Sequence, residues 1–76
     1  MTKEQEVMVN QWINDRCKEF GENFRSLFKE MVNSVDIPNN LLNSEDIGNY
    51  VVNNAPDSLM LRACFLLHFN KANGMF

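Results

Sequence analysis

The chain has 76 residues, 45% of them hydrophobic and 22% charged, with a net charge of −3 at pH 7. The apolar content excludes a disordered chain, and the negative balance argues against nucleic acid as a partner, because phosphate neutralisation requires a basic surface. The length supports one domain, residues 1–76, of a size that buries only about 60% of its unfolded surface, so self-association is expected from size alone.

The opening residues, Met1-Thr2-Lys3-Glu4-Gln5-Glu6, are polar and lack the apolar segment of a secretion signal. The most apolar stretch, residues 59–69, is too short and too interrupted to span a bilayer, so no membrane association is expected. Cys17 and Cys64 fall inside the two strongest helical patterns, and both read as reduced core residues of a cytoplasmic protein. None of the twelve asparagines lies in an N-x-Ser/Thr sequon, in keeping with that compartment. The asparagine excess fits the AT-rich genomes common in phages and mobile elements.

In chain order, Thr2 and Gln5 have the spacing of a capping box, which starts a helix at Lys3. Val9, Ile13, Cys17, Phe20, Phe24, Leu27 and Met31 then alternate in steps of three and four, and the register passes through Gly21 without a slip. The spacing therefore predicts one long helix over about 3–34, roughly 48 Å at 1.5 Å per residue. A break at Gly21, giving a helical hairpin, is the alternative. Asp36-Ile37-Pro38-Asn39-Asn40 ends this segment. Asn43 or Ser44 caps a short helix over about 44–53, in which Gly48 signals a weak helix or a close approach of another element. Asn54 as N-cap and Pro56 in the first turn announce a last helix over about 55–73, with Gly74 as its C′ residue. No stretch outside these helices alternates with period two, so no sheet is expected. The fold class is all-α: a small helical bundle of these three helices, assembled as a homo-oligomer.

The last helix is apolar on every side. Three helices of this size leave it half covered in a monomer, so Leu59, Phe65, Leu66, Phe69 and Phe76 are expected at the oligomer interface. Arg62 interrupts the apolar run. It reads as an ion pair with Asp57, Asp46 or Glu45, as an arginine whose stem covers Phe65 while its head reaches water, or as a site for a small anionic ligand such as a nucleotide held between subunits, with Tyr50, Trp12, Arg25 and Lys71 around it. Cys64 and His68 lie four residues apart on one helical face, and Cys17 could join them. Yet His68 is the single histidine and no C-x-x-C occurs, so no metal site and no cofactor are expected. The same Cys–His pair lacks a glycine-rich turn or oxyanion donors, and no catalytic residues are expected. Asp57-Ser58-Leu59 at a helix start resembles the phosphopantetheine site of acyl carrier proteins over those three residues alone. The residues that follow are far more apolar than that family's, and Ser58 reads as a first-turn serine. The expected function is non-enzymatic: a protein-binding inhibitor or adaptor that meets a host or cellular protein through the acidic face of the first helix.

Overall fold

Thr2 opens the first helix as its spacing predicts. Its hydroxyl accepts from the Gln5 backbone N–H at 3.1 Å, and the Gln5 side chain accepts from the Thr2 N–H at 3.2 Å, so two of the donors left open at a helix N-terminus are satisfied reciprocally. The computed structural model describes residues 1–74. Within them lie α1 (Lys3–Phe20), a 3-10 turn (Glu22–Phe24), α2 (Arg25–Asn33), α3 (Ser44–Asn54) and α4 (Asp57–Ala72). The described residues are thus all-helical. Phe76, expected at an interface, lies outside them.

The long helix over 3–34 is not formed; α1 and α2 make a hairpin with its corner at Gly21. Gly21 has φ 123° and ψ 149°, a region only glycine enters without steric cost. Its N–H closes α1 onto the Cys17 carbonyl at 2.8 Å, and its own carbonyl accepts from the Phe24 N–H at 3.2 Å. The corner takes the four residues 21–24, about one α-helical turn, so the apolar register re-emerges in phase and conceals the break. Folding back lets the two halves of the stripe bury each other: Val9, Trp12, Ile13 and Cys17 of α1 and Leu27, Phe28, Met31 and Val32 of α2 are all in the core. A straight helix of roughly 48 Å would not fit a molecule 39 Å in its longest dimension.

Rings run through this core in sequence. Phe20 stacks tilted on Phe24 at 5.7 Å between centroids, Phe24 on Phe28 at 5.3 Å, and Phe28 on Trp12 at 5.2 Å. Such offset pairs add about 0.5 to 1.5 kcal/mol each beyond area burial. α3 is seated on this ladder through Gly48. A Cβ built there would overlap the Trp12 indole, standing 2.5 Å from its Cδ1. Of the two readings of Gly48, close approach is therefore the one observed.

Asn43 caps α3 as expected, its Oδ1 accepting from the N–H groups of Glu45 and Asp46 at 2.8 and 3.3 Å. Asn54 does not cap the last helix. It ends α3, its amide donating to the Tyr50 carbonyl at 2.8 Å. Pro56 pushes Ala55 into an extended conformation (ψ 146°) and is itself extended (ψ 145°), so α4 begins two residues later than predicted, at Asp57. Gly74 follows α4 with φ 70°, in the left-handed conformation of a C′ residue.

Two buried amides tie distant parts of the chain. Gln5 has no exposed surface and donates to the carbonyls of Pro38 and Leu41 at 2.7 and 3.0 Å, pinning the 34–43 loop to the start of α1. Asn70, also fully buried, donates to the Phe20 carbonyl at 2.8 Å and exchanges two hydrogen bonds with the Asn23 amide at 2.7 and 2.9 Å. That bond caps the C-terminus of α1 from α4.

Two outcomes follow in urea unfolding. Gly48→Ala should destabilise the protein by about 1 to 3 kcal/mol through overpacking, although alanine is the better helix former, and should shift Trp12 fluorescence. Asn70→Ala should cost about 1 to 3 kcal/mol, and Asn23→Ala less, because Asn23 is exposed and water replaces its partner.

Candidate functional site

α4 has two unlike sides. At about 100° per residue, Leu59, Ala63 and Asn70 turn toward the rest of the chain, and only Leu59 and Asn70 are buried. Leu61, Phe65 and Phe69, spaced by four, form a ridge on the outward side with 58%, 71% and 58% of their surface exposed. Arg62 and Leu66 flank the ridge on the side of α2. Together with Asn23, Ser26 and Leu27 they bound a groove of about 440 Å³ whose outer wall is Phe65 and Phe69.

Of the residues expected at an interface, Phe65 and Phe69 are exposed and Leu66 is half-buried. Leu59 is a correction: at 9% exposure it belongs to the chain's own core, because it lies about 120° around the helix from Phe65.

Arg62 Nη1 meets Glu30 Oε2 at 2.7 Å, with both side chains about half exposed (56% and 52%). Its partner is therefore none of Asp57, Asp46 and Glu45, because the hairpin brings α2 alongside α4. An exposed pair of this kind contributes about 0.2 to 1 kcal/mol. The other candidates for an anion site lie apart. Trp12 is buried on α1, and Tyr50 is half-buried on α3. Arg25, at the start of α2, grips the Glu22 carboxylate with two bonds of 3.0 Å and Asn14 Oδ1 with one of 2.7 Å. Lys71, nine residues from Arg62, is half a turn out of phase with it on α4, beside Cys64, Leu67 and His68. The Glu22 carboxyl is held below its ordinary range by the hydrogen bond from Arg25, and Arg25 is raised in return. Its stabilising share is therefore present above the unfolded carboxyl pKa and fades as pH falls through the lowered folded value.

The cysteines divide. Cys17 is buried, and burial pushes its thiol pKa up, an effect that the charge of Arg25 opposes and that of Glu22 reinforces. Cys64 is exposed rather than in the core, since α4 is covered on one side only. Among the described residues, no three His, Cys, Asp or Glu side chains gather as a metal site would require.

Between α1 and α3 lies a polar depression of about 280 Å³ bordered by Trp12, Asp15, Arg16, Ser44, Glu45 and Asn49. Arg16 pairs with Glu19 at 3.1 Å, which leaves the Asp15 and Glu45 carboxylates to set the sign of this surface. Among the described residues, no helix is long and apolar enough to cross a membrane. Compared with known proteins, the chain matches no family model, no curated protein and no solved structure.

Phe65 and Phe69 of the ridge were among the residues expected at an interface, whereas Leu61 and the long-range ties of Gln5 and Asn70 were not anticipated. The capping box disclosed half of Gln5's bonding. An asparagine within an apolar helix was the only sign of Asn70.

With a maleimide or a disulfide reagent under native conditions, one thiol per chain, Cys64, should react promptly. Cys17 should react only as fast as the protein unfolds. Mass mapping of the labelled peptide checks the assignment, and Cys64→Ser should abolish the fast phase.

Proposed function

We propose that the protein is a small, non-enzymatic cytoplasmic homo-oligomer that acts by binding a host or cellular protein, as an inhibitor or adaptor of the kind carried by phages and mobile elements. The observation that carries this reading is the uncovered ridge of α4. At about 200 Å² for a phenylalanine side chain and somewhat less for leucine, the exposed fractions of Leu61, Phe65 and Phe69 leave roughly 360 Å² of contiguous apolar surface. Large apolar side chains contribute about 1.5 to 3 kcal/mol each when buried. A patch of this size is in the range of the largest apolar patch on a typical monomer, which is often functional, and this one is rimmed by polar residues. The acidic flank of α1 and α3, with Asp15 and Glu45, is the surface suited to a basic patch on the second protein. Sequestration of a small anionic ligand has less support, because Arg62 and Arg25 already face carboxylates.

The test is affinity capture on the immobilised full chain. A specific protein partner is expected, released by rising salt and weakened about tenfold or more by Asp15→Lys combined with Glu45→Gln. Recovery of no specific partner from cells that naturally contain the protein overturns the reading.

A further inference from the structure

We propose that the α4 ridge is covered by a second copy of the chain, with the two α4 helices packed antiparallel about a two-fold axis through Phe65. The inference rests on the reading of α4 as an interaction surface and names its occupant.

Three features favour a second copy. The first is the shape of the ridge. Leu61, Phe65 and Phe69 are evenly spaced by four, so a two-fold through Phe65 sets Leu61 of each copy against Phe69 of the other and brings the two Phe65 rings together at the centre. The pattern is complementary to itself, as an isologous interface requires. The second is area. The three ridge side chains present roughly 360 Å² of apolar surface per copy, and paired α4 helices would also cover parts of the flanking Asp57, Arg62, Leu66 and Lys71, toward the 1,000 Å² or so expected of a specific interface.

The third is charge. About the same axis, Asp57 in the first turn of α4 falls within about 3 Å, measured along the helix, of Lys71 in the last turn of the second copy, on the same flank. The two-fold repeats that pair. On the other flank the Arg62 guanidinium lies beside Phe69 of the second copy, a cation–aromatic contact. Each Arg62 also brings its own counter-ion, Glu30 at 2.7 Å, so the two guanidinium groups approach without net repulsion. Cys64 stays outside the contact, about 100° around the helix from Phe65. Across helices some 10 Å apart, the two Cys64 Cα atoms are separated by roughly 11 Å. That exceeds the limit of about 7 Å for a disulfide but suits a short bis-maleimide.

Sedimentation of the full chain at micromolar concentration, with circular dichroism to verify helix content, tests the proposal. The wild type should be a dimer. Phe65→Asp should raise its dissociation constant at least about a hundredfold while keeping its helices, since symmetry applies the lost anchor twice. Val7→Asp, at an equally exposed apolar residue of α1 (68%), should leave it unchanged. Asp57→Lys and Lys71→Asp should each weaken the dimer, and the double variant should restore it. A bis-maleimide should link the Cys64 pair, whereas air oxidation should not.

A monodisperse wild-type monomer overturns the proposal. If affinity capture then shows a different protein lost on Phe65→Asp, the second copy and the homo-oligomer are refuted while the ridge stands as the surface for that protein. A dimer that persists in Phe65→Asp refutes α4 as the interface, and failure of the charge-reversed double variant to recover refutes the antiparallel register.

Discussion

The hairpin that α1 and α2 make turns on one backbone angle, the φ of 123° at Gly21. An apolar stripe running the length of a single helix has nothing of its own chain to pack against. Turned back at Gly21, the same stripe becomes two facing surfaces, and the Phe20–Phe24–Phe28–Trp12 ladder forms between them. α3 and α4 are then added to a core that the hairpin has already defined: α3 through the Gly48 seat on Trp12, α4 through Leu59 and Asn70. A side chain at position 21 would oppose the corner itself rather than any contact, and the cost would appear in every helix that depends on it.

The same arrangement explains why α4 is left bare. The hairpin is filled by its own residues and by Ile47 and Val51 of α3, so α4 finds room for one side only. Met60, Ala63, Leu66 and Leu67 pack partly against the core, while Leu61, Phe65 and Phe69 lie outward. That distribution suits a helix covered on one side by its own chain and on the other by something else. The polar flank of α1 and α3, with Asp15 and Glu45, is a surface of different character from the apolar α4 ridge.

What was legible in the sequence was what is decided locally. The capping box of Thr2 and Gln5, the Asn43 cap, the stop at Pro38 and the glycine after α4 each depend on residues within a few positions of one another, and each is found as read. The hairpin was not legible because its corner consumes about one turn and returns the register in phase; periodicity alone does not distinguish a continuous helix from one folded after a whole turn. The ion-pair partner of Arg62, Glu30, and the exposure of Cys64 were not legible for a related reason: both depend on which helices become neighbours. The hydrogen bonds of Gln5 to Pro38 and Leu41, and of Asn70 to Phe20 and Asn23, bridge 33 to 50 residues, and no spacing rule reaches that far. Of the α4 ridge, the apolar character was evident, but which of its residues face outward required the packing.

Gln5 and Asn70 share a property that bears on where this protein can work. The two groups that tie the loop and the last helix to the rest are carboxamides, which neither gain nor lose a proton in the range cells use. The ion pairs among the described residues, Arg16–Glu19, Arg25–Glu22 and Arg62–Glu30, sit at the surface, where their loss is cheap. The long-range fastenings of the fold therefore rest on groups that do not titrate, whereas the charged groups in these pairs stand at the surface.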